Sequence, residues 1–203
     1  MNARDAFARL RRLGVPVVET ADAAAALGQS TAAASMTLSR LVASGLVTAV
    51  RHGTWWIDGA VDPYRLPDYL TAPLPSYVSL QTALHVHGLI EQIPEVIYVV
   101  SLARSQRVTT RVASFSIHHV APEVFGGFVE NAAGVKLATA EKALFDVAYL
   151  SAGRSRLFTS LPELELPRGF DRQALERWMA RIPSERSRTL TSRKLDEFLT
   201  AAR

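Results

Sequence analysis

The stretch STAAASMTLSRLVASGLVTAVRHGTWWID, residues 30–58, decides how the chain reads. Ser30 stands where a hydroxyl can accept from an N–H of a first helical turn. Ala34, Leu38, Leu41 and Val42 then recur at helical spacing up to a stop at Gly45. Two β-rich runs follow and flank Arg51, His52 and Gly53, a loop with glycine where a positive φ is required. A helix of recognition type followed directly by a glycine-tipped, basic hairpin is the pattern of a winged helix, with the hairpin as its wing.

Working back toward the N-terminus, residues 3–13 place Ala6, Phe7, Leu10 and Leu13 at helical spacing, and Gly14 and Pro16 supply the stop. Residues 16–19 have room for no more than a bridging strand. An alanine-rich helix then opens at Thr20 or Ala21 and closes at Gly28, so that it and the helix after Ser30 form a helix-turn-helix. Opposite the buried stripe centred on Leu38 lie Ala32, Met36, Ser39, Arg40 and Ala43, with Ser35 at the margin. Small residues admit close approach to base edges, serine bonds phosphate or base, and arginine grips guanine with two parallel hydrogen bonds. Ser35, Met36, Ser39 and Arg40 are therefore the candidate readers of a major groove, and Arg51 and His52 the candidate contacts to backbone or minor groove. The bland alternative is a polar helix face that touches only water. Trp55 and Trp56 point to opposite strand faces, which allows one ring into this domain's core. The other is left to pack elsewhere or to stack on a sugar or base.

Composition narrows the function classes. The chain has 203 residues, 48% of them hydrophobic and 21% charged, enough for a small domain and a medium one, both folded. It has no cysteine, which removes disulfides, thiolate zinc sites and cysteine nucleophiles together. The start, MNARDAFARLRRLG, is charged and amphipathic rather than a secretion signal, and no apolar run approaches the roughly 18 residues of a membrane span. The expected location is the cytoplasm, with no membrane partner. Net charge is +2 over residues 1–58, −2 over 59–167 and +4 over 168–203. Two basic ends suit a nucleic-acid partner, although 20 arginines among 23 basic residues also fit a GC-rich genome.

Residues 59–75, with Pro63, Pro67, Pro73 and Pro75, read as a stiff linker, and 76–203 as an effector domain. There the pattern predicts, within 77–89, a helix with Ser79 as a possible cap and a stop at Gly88, and strands over 96–102 and 112–120. It adds a strand pair over 125–129 and 135–138, an amphipathic helix capped by Thr139, and C-terminal helices over about 171–181 and 192–201. The fold class that follows is α+β: an N-terminal winged helix-turn-helix, then a larger α/β domain with a small, mostly antiparallel sheet and C-terminal helices. No metal site is predicted: His85 and His87 diverge on a helix, and His118 and His119 fall on opposite faces of a strand. His87 reads as a helix-end histidine favoured by the dipole. Glu141, Lys142 and Asp146 read as surface charges in preference to catalytic groups, because no nucleophile or metal partner stands at a fixed spacing. The basic tail with Arg186 and Arg188 reads as a solvated face, or else as a second phosphate contact or a site for an acidic protein.

Three ordered blocks carry a family resemblance. They are LSRLVASGLV (38–47) with Arg51, His52 and Gly53; SLQTAL (79–84) with His87, Gly88 and Leu89; and LATAEKALFD (137–146). Together they resemble the AbiEi antitoxins of type IV toxin–antitoxin pairs, over most of the chain. The resemblance implies a winged helix that represses its own operon and a C-terminal domain that counteracts a nucleotidyltransferase-like toxin. At Trp55 the chain departs from the tyrosine usual after the wing glycine, which keeps an aromatic there. The chain itself lacks the Gly-Ser with paired aspartates of such a toxin and any Walker-type loop, so no enzyme activity, catalytic residue or cofactor is expected. The expected partners are operator DNA and a cognate toxin, neutralised through a stable complex or without one. The alternative is a ligand-sensing winged-helix regulator with no toxin, for which a pocket is the discriminator.

Overall fold

The computed structural model describes residues 2–152, 161 and 163–202. The chain divides into two compact units, residues 1–63 with 109–113, and residues 64–108 with 114–203.

The first unit is built from local stops and caps. The Asn2 side chain accepts the Asp5 N–H at 2.8 Å and starts α1 (Ala3–Arg11). β1 (Val17–Glu19) runs straight into α2 (Thr20–Leu27), which ends where Gly28 turns left-handed at φ 65°. Ser30 accepts from the Ala33 N–H at 3.3 Å and opens α3 (Thr31–Ala43). β2 (Thr48–Arg51) and β3 (Thr54–Trp56) form the hairpin, and β1 pairs with the far side of β3 in an antiparallel sheet ordered β1-β3-β2. Leu10, Leu27, Leu38, Leu41, Trp55 and Ile57 meet in one core. Trp55 belongs to that core. Trp56 is also fully buried, so the reading that leaves one ring free to stack on a base does not hold.

The second unit holds a six-stranded sheet. Its strands are β4 (Ser76–Val78), β5 (Ile97–Ser101), β6 (Gln106–Thr109), β7 (Ser114–His119), β8 (Phe128–Glu130) and β9 (Lys136–Ala138), in the order β6-β7-β5-β4-β9-β8. The α+β class stands, but the sheet is mixed rather than mostly antiparallel. β5 lies parallel to β7 and β4 parallel to β9, while β4/β5 and β8/β9 are antiparallel. The expectation paired neighbours in sequence, whereas β7 slots between β5 and β6, and β9 comes from far along the chain to flank β4. Residues 76–78 form a strand at the centre of the sheet, with all three side chains buried, and Ser79 stands at the N-cap of the next helix, as expected. α5 (Leu80–Val86) begins only after Ser79.

Most of the expected linker belongs to this unit. It forms a short helix, α4 (Pro67–Thr71), that buries Leu70 and Thr71. Asp68 accepts the Ser76 N–H at 3.1 Å and pairs with Lys136 at 2.7 Å. Thr139 caps α6 (Ala140–Ala152), its hydroxyl oxygen accepting the Lys142 N–H at 3.2 Å. α7 (Arg172–Ala180) and α8 (Glu185–Ala201) close the unit, and α6 packs on α5, α7 and α8. α8 starts seven residues before the expected 192, because Ser184 accepts from Ser187 and makes a helical start of the Arg-Ser stretch. Among the described residues no helix is long and apolar enough to cross a membrane.

On β7, His118 is buried beside Ser116, whose hydroxyl lies 2.9 Å from Nε2, and under the Tyr98 ring. Burial first, and the Arg107 charge second, push its pKa down to about 4. The unfolded chain therefore takes up a proton near pH 6.5 that the folded chain refuses until about pH 4, so stability falls as pH drops through that window. His118→Gln should lose about 2 kcal/mol less than the parent between pH 7 and pH 5, read by urea denaturation. Equal losses in the two proteins would remove His118 from the acid response.

Candidate nucleic-acid interface

The first unit presents α3 and the β2–β3 hairpin side by side. On α3, Ser35 is half-buried, Ser39 and Arg40 are exposed, and Met36 is 62% exposed although apolar. Ser39 donates to the Ser35 carbonyl at 2.9 Å, which spends its proton inside the helix and leaves its oxygen to accept from outside. In the hairpin, Arg51 stands opposite Thr54, so His52 and Gly53 alone make the turn, and Gly53 sits at φ 78°. A side chain would strain that left-handed backbone even where there is space for it.

The turn is tied down. The Thr20 N–H and hydroxyl both donate to the Gly53 carbonyl, at 2.9 and 3.2 Å. Thr20 in turn accepts the Trp55 indole N–H at 2.9 Å. Arg51 Nε donates to the Thr54 hydroxyl at 3.2 Å, and that hydroxyl donates to Glu19 at 2.8 Å. Arg51 is thus held through Nε, and it lines a hollow shared with α3.

Four of the six residues singled out in the sequence, Ser35, Ser39, Arg51 and His52, line one hollow of about 680 Å³. Met36 and Arg40 do not line it; they lie on the exposed side of α3. The hollow also takes in Thr31 and Ala32 from the first turn of α3, the carboxylate of Glu19, and Arg111. Sequence reasoning missed Arg111. No local signal marks it, since it reaches this unit from a turn about 60 residues beyond the hairpin. Hydroxyls, two guanidiniums and an imidazole around a concave surface suit an extended polyanion, with Arg40 beside them free to form paired bonds to a flat acceptor.

The charges of α6 are not on the surface. Lys142 and Asp146 are wholly buried and form an ion pair one helical turn apart, while only Glu141 stays outside, accepting the Asp171 N–H. Asp146 also accepts the Ser79 hydroxyl at 2.7 Å and the Tyr77 hydroxyl at 3.1 Å. Lys142 Nζ lies 4.5 Å from the centre of the Trp178 ring and 4.9 Å from that of Phe145. Burial pushes Lys142 down, Asp146 up and Tyr77 well above the ordinary phenol range. Gly127 covers the group closely: a β-carbon there would come 2.5 Å from Trp178. Among the described residues, the Lys142 and Asp146 side chains have no exposure to solvent. His87, at the end of α5, bonds the Ala138 carbonyl through Nε2 at 2.7 Å, and so joins that helix to β9. Among the described residues no three His, Asp or Glu side chains gather as a metal site.

No family model matches the sequence, and no curated protein matches it.

Removing one partner of the buried pair strands the other charge. Lys142→Met should cost about 3–5 kcal/mol in urea denaturation. Lys142→Met with Asp146→Asn should cost less than Lys142→Met alone, because the amide carbonyl still accepts from Ser79 and Tyr77 without a charge. Additive costs would show that the two side chains do not act as a pair.

Proposed function

We propose that this chain is a sequence-selective DNA-binding repressor of its own operon and the antitoxin of a type IV-like pair, neutralising a nucleotidyltransferase-like toxin in the cytoplasm. The observation that carries the DNA half is the shared hollow. Ser35 and Ser39 from the helix and Arg51 and His52 from the hairpin face one space, with Met36 and Arg40 exposed on the same helix. In this reading α3 enters a major groove, where Arg40 addresses a guanine, and the hairpin grips the flanking backbone.

The antitoxin half rests on the resemblance to AbiEi antitoxins. It is supported by where the blocks of that resemblance fall: the first spans α3 and the wing, and the second and third supply Ser79, Lys142 and Asp146 to the buried cluster at the heart of the second unit. Neutralisation belongs to residues 76–203.

One observation favours a second reading, a ligand-sensing regulator without a toxin. The second unit has a hollow of about 350 Å³ lined by Tyr98, Arg107 and Gln81, and the buried Gln81 Oε1 has no hydrogen-bond partner among the described residues. That volume is in the range of small-molecule sites.

The first test is binding to the chain's own upstream DNA against scrambled DNA across salt. Selective binding with a log–log salt slope steeper than about −4 is expected, and the Arg40→Ala, Arg51→Ala double variant should lose it. Equal weak binding to both DNAs, or no change in the variant, would assign the winged helix to protein contacts instead. Sequencing the flanking genes for a nucleotidyltransferase, and co-expressing the chain with it, tests the other half. The double variant should still restore growth, since its changes lie outside the antitoxin unit. Growth that neither parent nor variant restores, with DNA binding intact, would favour the ligand-sensing reading.

A further inference from the structure

We infer that Arg111 is a third cation of the DNA-contact face and binds a backbone phosphate beside the wing, an inference that rests on the DNA-binding reading above. Three observations carry it. The first is placement. The Arg111 N–H donates to the Val50 carbonyl at 2.8 Å, at the point where the β2 register shifts between Ala49 and Arg51. β2 is an outer strand of its sheet, so this carbonyl lies on an open edge, and the bond sets Arg111 next to the strand that carries Arg51.

The second observation is the stiffness of the turn. The Thr110 N–H and hydroxyl donate to the Ala113 carbonyl at 3.0 and 2.8 Å, and the same hydroxyl oxygen accepts from the N–H groups of Val112 and Ala113. A backbone fixed this way loses little entropy when its side chain takes a ligand. The third is charge. Arg111 is exposed, and among the described residues its guanidinium has no hydrogen bond or ion pair. The only carboxylate lining the hollow is Glu19, which is already engaged by the Thr54 hydroxyl. Two guanidiniums share one space with a single carboxylate and an imidazole, an arrangement that an anion relieves.

The ligand this selects is a phosphodiester of the duplex, because Arg111 stands beside the wing and not on the exposed side of α3 that carries Arg40. Its contribution is sequence-neutral: it adds to affinity and to salt dependence without reading bases. Substitution of the side chain leaves the N–H to Val50 in place, so the fold survives the test.

The experiment compares parent and Arg111→Ala full-length chains on upstream and scrambled DNA across salt, with thermal melting of both proteins as a control. Arg111→Ala should weaken binding to both DNAs by a similar factor, make the salt slope shallower by about 0.9, and leave the melting temperature and the preference between DNAs unchanged. Arg111→Lys should restore most of the slope. An unchanged slope and affinity, with Arg40→Ala, Arg51→Ala still losing the upstream DNA, would overturn the role of Arg111 and spare the DNA-binding reading. A collapse of the preference between DNAs would overturn it as a phosphate contact. A parent chain that binds neither DNA would sink the underlying reading, and this inference with it.

Discussion

The first unit depends on one carbonyl. Gly53 O accepts both the N–H and the hydroxyl of Thr20, and the same hydroxyl accepts from Trp55, so the first residue of α2, the tip of the hairpin and a core tryptophan of the sheet share a node. Only a left-handed residue at the second turn position aims that carbonyl back at the helix, which is the reason for glycine there. Without the node the hairpin keeps its ladder to β1 and its core side chains, but its tip loses its tie to α2. With it, the tip is tied to the first residue of α2, and Arg51 and His52 gain a fixed place in the first unit. Pre-set geometry of this kind is what lets a few contacts discriminate between sequences, since little ordering remains to be done on binding.

The second unit solves a different problem. Its sheet brings together strands distant in sequence, and α6 is the element on which α5, α7 and α8 all pack. Burying a lysine and an aspartate in that helix is costly in itself, and it is tolerable because each lone pair or proton finds a partner: two hydroxyls on Asp146, aromatic faces around Lys142. Polar groups that can be satisfied in only one arrangement fix which helix faces meet which strand. Hydrophobic contacts alone leave that choice open.

What could be read from the sequence follows the range of the interaction. Ser30, Gly28 and Gly53 announce caps and turns within three or four residues, and all three do in the structure what their types predict. Ser35, Ser39, Arg51 and His52 were found because helical and strand periodicity fix faces locally. Lys142 and Asp146 mislead for the same reason: oppositely charged residues four apart on a helix are the signature of a solvated pair, and nothing within one turn reveals that Trp178, Tyr77 and Ser79 close over them. The parallel pairings of β5 with β7 and β4 with β9 are equally invisible, because their hydrogen bonds join segments with no common local pattern. Arg111 belongs to this class too, its partner Val50 standing at a distance no periodicity spans.

Net charge would not by itself mark the first unit as a nucleic-acid binder. Residues 1–58 carry only +2, and four of their six basic side chains, Arg4, Arg9, Arg11 and Arg12, lie on or next to α1, where Arg11 is spent on Asp58. That leaves Arg40 and Arg51 for the helix and hairpin face, too few to hold a polyanion by field strength. Drawing Arg111 into the same unit through the 109–113 turn adds a third cation without raising the charge of the helix-turn-helix itself. The consequence is a face whose attraction comes from where its charges sit rather than how many there are. On the proposed DNA-binding reading, such a face would hold non-specific DNA weakly, because the sequence-neutral part of affinity scales with the number of phosphates neutralised. On that reading, selectivity would rest on the bases that Arg40 and its neighbours on α3 can reach.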